Sequence, residues 1–188
     1  LTNDDGFYSP GLTALKTELE KNYRVWVVAP DREKSAISMA LTLNHPLRIN
    51  QVEENVFAVN GTTSDCVNIA LQKVLPSSPD FVVSGMNLGE NLSEDVFFSG
   101  TVGGAFSGHL YGIPSLAVSL IAGLGQYQKQ EFDFAAGARI AARVVEKLLD
   151  KVSAGYLGWM QHARKVTGSS GAVMYSGGDG GSLLKENL

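Results

Sequence analysis

The segment Arg24–Ala29 is the feature that most constrains how this chain can fold. Its sequence, Arg-Val-Trp-Val-Val-Ala, is a nearly continuous run of apolar and β-branched residues. A strand with one face in water alternates polar and apolar positions, so this run is typical of a parallel strand covered on both faces. Pro30 is expected to end the strand. The run therefore predicts a buried strand within an α/β sheet.

Helix signals and further apolar runs alternate with this strand along the chain. Ser9-Pro10 predicts the start of a helix, because serine caps the first turn and proline is favoured within it. Strands are also predicted at Phe81–Val83 and Ser115–Leu120, and helices after Gly61, after Ser99 and over Asp133–Leu149. Strands and helices that alternate in this way form right-handed crossover units.

The predicted fold is a three-layer Rossmann-like α/β sheet that is mostly parallel. The segments Leu47–Asn50 and Val56–Val59 alternate like short strands and predict a β-hairpin excursion off the main sheet. We assign residues 1–150 to the Rossmann-like domain and residues 151–188 to an unclear C-terminal extension. Gly168–Gly181 is rich in glycine and serine, which predicts a mobile tail, and residues 151–188 as a whole are expected to be mobile or part of an oligomer contact.

Charge and cysteine content exclude several classes of partner. The chain has 15 basic and 19 acidic residues, a net charge of −4 and no basic cluster, which argues against binding of a nucleic-acid duplex. The single cysteine, Cys66, excludes an internal disulfide and fits a reducing compartment. No membrane-length apolar run or signal-peptide pattern is present, so we expect no membrane partner and a cytoplasmic location. Because the chain opens at Leu1, we also expect a trimmed start, which leaves a missing targeting segment open.

Two adjacent carboxylates, Asp4 and Asp5, follow the apolar start of the chain and precede Gly6. Adjacent acids repel each other, and burial near a strand end raises the cost of keeping both ionised. A hard divalent cation with oxygen ligands would relieve that repulsion. The alternative is a solvated turn, since Asn, Asp and Gly are common turn residues.

Polar residues follow two other predicted strands and offer further oxygen ligands. Ser35 lies in the loop after the Arg24–Ala29 strand, and Asn87 follows the Phe81–Val83 strand. Ligands of open α/β sheets collect at the carboxyl ends of the strands. Together with Asp4 and Asp5, these residues predict one Mg²⁺ or Mn²⁺ site, because zinc prefers His and Cys ligands.

A helix N-terminus rich in small residues predicts a phosphate site beside that cation. Ser99, Gly100 and Thr101 begin the helix, and its free N–H groups and two hydroxyls suit an anion. Asn91 is expected to lie beside them. A cation next to a phosphate pocket is typical of metal-assisted phosphoester hydrolysis. The residues alone therefore support a phosphatase hypothesis.

The ordered motifs resemble those of the survival protein SurE family of metal-dependent nucleotidases and acid phosphatases. They are Thr2-Asn3-Asp4-Asp5-Gly6, Val28-Ala29-Pro30-Asp31-Arg32 with Ser35, Gly61-Thr62 with Asp65-Cys66-Val67, Ser84-Gly85-Met86-Asn87-Leu88-Gly89-Glu90-Asn91 and Ser99-Gly100-Thr101-Val102. The resemblance covers about residues 1–150. It implies a Rossmann-like fold, hydrolysis of nucleoside monophosphates or other small phosphomonoesters, and one divalent ion per subunit on the four ligands named above. It also implies homodimers or homotetramers that exchange C-terminal elements, although residues 152–188 do not match the family's later strands.

Two other classes of protein, which have different functions, also carry an acidic residue after their first strand. A non-catalytic receiver-type signalling domain also binds Mg²⁺, but it needs a phosphorylatable Asp and a Lys at later strand ends, and Leu120-Ile121-Ala122 offers no Lys. A haloacid-dehalogenase phosphatase uses an Asp-x-Asp pair, whereas Asp4 and Asp5 are adjacent.

The two adjacent acids are expected to have different roles. Successive side chains of a strand point in different directions, so one of Asp4 and Asp5 is expected to be chiefly a ligand while the other also activates water. We choose Asp4 for the water because it is nearer the strand. Asp65 is interpreted as a favourable charge at a helix N-terminus and Cys66 as a core residue.

Overall fold

The computed structural model describes residues 1–121 and 132–152 completely, and the backbone of Ser153 and of residues 161–166 and 171–177. The helices are α1 (Pro10–Leu19), α2 (Thr63–Ile69, continued by a π-helical turn at Ala70–Val74), α3 (Asp95–Phe98), α4 (Gly100–Leu110) and α5 (Phe134–Ser153). The strands are β1 (Val27–Pro30), β2 (Ile49–Glu53), β3 (Val56–Val59), β4 (Val82–Leu88), β5 (Ser115–Ile121), β6 (Gln161–Val166) and β7 (Gly171–Gly177).

The strands form one sheet with a parallel centre and antiparallel edges. Strand order is β2-β3-β1 in one group and β4-β5-β7-β6 in the other. The first two residues join the groups, because Val28 N–H donates to the Leu1 carbonyl and Thr2 N–H donates to the Val83 carbonyl, both at 3.0 Å. The pairs β1–β3 and β4–β5 are parallel, whereas β2–β3, β5–β7 and β6–β7 are antiparallel.

Helices cover both faces of the sheet, which gives the predicted three-layer α/β fold. Alternate residues of one strand face opposite layers: in β5, Leu116, Val118 and Leu120 pack in the core that contains α1 and α5. Ala117 of the same strand packs against Val102 and neighbouring residues of α4. Because both faces are covered, the central strands can be apolar throughout, as the sequence indicates.

Strand β1 ends at Pro30 as predicted, since Pro30 is its last residue and pairs with Val59. Two other sequence predictions about strands are wrong in detail. The predicted hairpin is part of the main sheet, because β3 pairs in parallel with β1. Strand β4 continues through Ser84–Leu88, so Asn87 lies in the strand. Local sequence spacing does not reveal strand pairing, which depends on residues far apart in the chain.

The C-terminal extension contains a hairpin. Strand β7 pairs with β5 and β6 pairs with β7, so this segment widens the sheet. Part of the Gly168–Gly181 tail is therefore strand β7, and the remainder of that prediction lies outside the described residues. The residues do not match a strand signal because glycine and serine weaken the expected β-branched pattern.

Cys66 is buried with Val28 and Val59 in a small apolar cluster, and burial raises the pKa of its thiol. Its interpretation as a core residue is confirmed. In the described part of the chain, no helix combines the length and apolar character needed to cross a membrane.

Candidate active site

The segment after Thr2 leaves the sheet at its carboxyl edge and turns sharply into α1. Asn3 is fully buried, and its Nδ2 donates to the Gly6 carbonyl at 3.0 Å and to Ser9 Oγ at 2.7 Å. Ser9 in turn caps α1 by accepting from Leu12 N–H. Asn3 therefore holds the acidic turn against the helix. Asn3 has no role predicted from the sequence, although an Asn that starts a turn ending in Gly is a recognisable signal.

The Asp4 carboxylate lies against the N-terminus of α4. Thr101 Oγ1 donates to Asp4 Oδ1 at 2.6 Å, and Thr101 N–H donates to Asp4 Oδ2 at 3.0 Å. Gly100 is in close contact with the same group, since a Cβ added there would lie 2.8 Å from Asp4 Cβ and Oδ2. Asp4 is only 3% exposed. The anion at this helix N-terminus is thus a side chain of the protein itself.

Burial makes both carboxyl groups harder to ionise. Burial raises the pKa of Asp4, while the hydrogen bonds from Thr101 act in the opposite direction. The pKa of Asp5 rises to about 7, mainly through burial and then through the neighbouring charge of Asp4, although a backbone hydrogen bond from Leu88 lowers it. The ion pairs formed by Lys16, Lys21 and Arg32 do not reach Asp4 or Asp5, and no basic side chain contributes to the pKa shift of either carboxyl. The pair therefore lacks a basic partner within the described chain.

The other predicted metal ligands lie at the same edge of the sheet. Asn87 Oδ1 is 3.4 Å from Thr101 Oγ1, so Asn87 and Asp4 share one neighbour. Lys34 N–H donates to the Asp4 backbone carbonyl at 2.7 Å, which brings the loop that carries Ser35 alongside. The hydroxyl of Ser35 itself donates to Glu33 Oε1 at 2.9 Å. Coordination of a cation by these four residues stays a prediction.

The predicted phosphate ligands all have partners in the protein. Ser99 Oγ accepts from Val102 N–H at 3.1 Å and caps α4. Asn91 Nδ2 donates to Ser119 Oγ at 2.8 Å in a buried contact. Thr101 binds Asp4, as described above. A phosphate at this helix N-terminus would have to share these donors, and its binding also stays a prediction.

The donor set fits a hard divalent cation. The described residues contain no group of three or more His, Cys, Asp or Glu side chains that could hold a metal. A site here would therefore combine two carboxylates with amide and hydroxyl oxygens, which suits Mg²⁺ or Mn²⁺ and disfavours zinc. A bound cation would also favour the ionised form of these two acids, whose pKa values are raised and whose shifts include no contribution from a basic side chain.

Comparison with solved structures shows the same architecture in a related protein. The crystal structure of the SurE protein from Aquifex aeolicus matches with a TM-score of 0.74 and 29% sequence identity. The match covers 98% of this chain and 88% of that one. The three-layer α/β fold is therefore shared over nearly the whole chain.

Sequence comparisons agree with the structural match. The chain is 47% identical over 151 residues to the 5'-nucleotidase SurE of Geotalea daltonii, a match covering 80% of this chain and 59% of the relative. It is 54% identical over 121 residues to the 5'-nucleotidase SurE of Geotalea uraniireducens, covering 64% of this chain and 49% of the relative. The chain thus spans 49% to 59% of the length of these relatives. The family model described as Survival protein SurE matches residues 1–167, and the chain therefore belongs to the SurE family.

Proposed function

We propose that this protein is a divalent-metal-dependent phosphomonoesterase that hydrolyses nucleoside monophosphates to nucleoside and phosphate. The observation that carries the proposal is the Asp4–Asp5 pair, which lies at the carboxyl edge of the sheet without a basic partner among the described residues. The relatives named 5'-nucleotidase SurE support the same reaction class. Family membership also argues against the receiver-domain and haloacid-dehalogenase alternatives.

The proposed cofactor is one Mg²⁺ or Mn²⁺ ion per subunit, held by Asp4, Asp5, Ser35 and Asn87. When bound, such an ion polarises a phosphoryl oxygen and makes a coordinated water acidic. Ser35 would join the ligand set by exchanging its present hydrogen bond to Glu33.

The contacts of the two acids favour a different division of roles from the one chosen from sequence. Both oxygens of Asp4 accept hydrogen bonds from Thr101, so Asp4 is oriented by α4 and suits a ligand role. Asp5 is less buried and lies outside that pair of bonds. We therefore propose Asp5 as the group that orients the attacking water and accepts its proton, with Asp4 as ligand.

Substrate binding is proposed at the N-terminus of α4 and the short helix before it. Ser99, Gly100 and Thr101, with Asn91 nearby, would hold the phosphate oxygens in competition with the Asp4 carboxylate. The side chains of Phe97 and Phe98 are 76% and 61% exposed directly before these residues. Exposed aromatic rings beside a phosphate site offer a surface on which a nucleobase can stack.

The quaternary and cellular parts of the proposal come from the family resemblance and from composition. They are a homodimer or homotetramer and a cytoplasmic location. Sedimentation of the full chain measures the first directly.

The decisive experiment is phosphate release from a panel of nucleoside monophosphates, with ribose 5-phosphate as the base-free control. Each reaction is run with EDTA and then with Mg²⁺ or Mn²⁺ restored. We expect hydrolysis that EDTA abolishes and either ion restores, and a preference for substrates with a base. Hydrolysis that is unaffected by EDTA, or no release from any nucleotide, would refute the proposal.

A further inference from the structure

We propose that the Thr62–Asp65 capping box positions the loop that carries Ser35, so that Asp65 is a positioning residue for the candidate site. The loop segment 35–43, here called the strap, lies between α2 and the N-terminal end of α4. The role in catalysis rests on the proposed function, because Ser35 is one of its proposed metal ligands.

One end of the strap is tied to the capping box of α2. In that box, Thr62 Oγ1 accepts from Asp65 N–H at 3.1 Å, and Asp65 Oδ2 accepts from Thr62 N–H at 2.9 Å. Each side chain makes a second bond to the strap: Asp65 Oδ1 accepts from Thr42 N–H at 3.1 Å, and Thr62 Oγ1 donates to the Ala40 carbonyl at 2.6 Å. Asp65 is only 3% exposed. A helix cap requires the first two bonds and does not explain the other two.

The other end of the strap is tied to the candidate site. Ser38 N–H donates to the Phe98 carbonyl at 2.9 Å, and Ser38 Oγ donates to the Phe97 carbonyl at 2.7 Å. The Ser38 carbonyl also packs on α4, since a Cβ added at Gly103 would lie 2.6 Å from it. Displacement of the strap would therefore disturb both Ser35 and the residues that precede the α4 N-terminus.

The strap depends on these bonds because it has little structure of its own. Residues 31–48 contain no helix or strand, and Ala36 and Ser38 have φ values of 56° and 53°. Residues other than glycine pay a conformational cost in that left-handed region, and the surrounding contacts must compensate for it. The bonds from Thr62 and Asp65 to Ala40 and Thr42 are contacts that hold the strap at the α2 end.

The chemistry of the side chain explains why aspartate suits this position. A carboxylate has two acceptor oxygens, and Asp65 uses one for Thr62 and one for Thr42. Asparagine has one acceptor oxygen and an NH₂ donor, so it can satisfy only one of the two N–H groups. Asp65→Asn therefore breaks one of the two bonds with almost no change in shape, and loss of either bond weakens the link between the strap and α2.

The test compares Asp65→Asn with Val67→Ala. Val67 lies in the same helix, is 3% exposed and makes none of the hydrogen bonds to the strap described above. Its replacement by alanine should therefore lower stability without removing a bond to the strap. Hydrogen exchange of amides 36–43 is measured in metal-free protein, and Mn²⁺ affinity by calorimetry. We expect exchange in the strap about tenfold faster in Asp65→Asn than in Val67→Ala, as for loss of one hydrogen bond to a charged group. Mn²⁺ affinity should fall about 10- to 100-fold, the usual effect of losing support for a ligand.

Several outcomes decide the inference. Equal exchange in the two variants would show that Asp65 is only a helix cap, and faster exchange with unchanged Mn²⁺ affinity would refute the positioning role. Absence of Mn²⁺ binding in the wild-type protein would instead refute the proposed function, while the exchange comparison would still decide whether Asp65 holds the strap. If Asp65→Asn does not fold, Thr42→Pro removes the strap's N–H group and leaves the capping box for the same measurements.

Discussion

Replacement of Thr101 by valine tests how the protein holds the Asp4 carboxylate. Valine has nearly the shape of threonine but cannot donate the 2.6 Å hydrogen bond to Asp4 Oδ1. Thr101 is fully buried and Asp4 is 3% exposed, so water cannot replace the lost donor easily. A hydrogen bond to a charged group contributes about 1.5–3 kcal/mol, and we expect the free energy of unfolding to fall by that amount.

Thr101→Ser is the matched control because it keeps the hydroxyl group and removes only a methyl group. Its loss should be about 0.8 kcal/mol, the value for one buried methylene or methyl group. Both variants are compared with the wild type by urea unfolding in EDTA, so that metal binding does not contribute. The difference between them isolates the hydrogen bond.

The pH dependence of this effect has a definite sign. The Thr101 hydrogen bond lowers the pKa of Asp4 relative to the valine variant, so its contribution is present when Asp4 is ionised and is lost as pH falls. The stability gap between wild type and Thr101→Val should therefore narrow in acid. A valine variant within about 0.5 kcal/mol of wild type at alkaline pH, or a serine variant equally destabilised, would refute the reasoning.

Three further predictions concern the same acidic turn. The pKa of Asp5 rises from 3.8 to about 7 on folding, so the metal-free protein should lose stability as pH rises through that window. Urea unfolding in EDTA should show the free energy of unfolding falling with pH in the wild type, and falling less in Asp5→Asn. If Asp5 accepts the proton of water, Asp5→Asn should lower kcat by about 10²-fold or more at saturating Mg²⁺. This fall in kcat should be larger than the fall caused by Asp4→Asn. A larger fall in Asp4→Asn would instead identify Asp4 as the base. Gly100→Ala should cost about 1–3 kcal/mol in unfolding free energy, because its Cβ would lie 2.8 Å from the Asp4 side chain; a variant as stable as wild type would show that Asp4 can move aside freely.

Local sequence patterns determined the elements of this fold. The sequence predicts that Ser9 caps a helix and that Ser99 begins one, and both residues cap their helices through a side-chain oxygen. Apolar runs marked β1, β4 and β5, because strands covered on both faces need no polar alternation. The acidic pair after Thr2 and the ordered motifs pointed to the family, since they need only residue types and spacing.

Tertiary structure alone decided how these elements meet. Thr101 and Asp4 are 97 residues apart in sequence, and their hydrogen bonds place the protein's own carboxylate at the helix N-terminus where a phosphate is predicted to bind. The same holds for Asp65, whose place in the first turn of a helix is visible in the sequence but whose bond to Thr42 is not. A capping pattern spans a few residues, whereas a contact between loops depends on how the whole sheet brings distant segments together. Sequence therefore determined which groups are available at this edge, and the packed fold determined which of them bind one another.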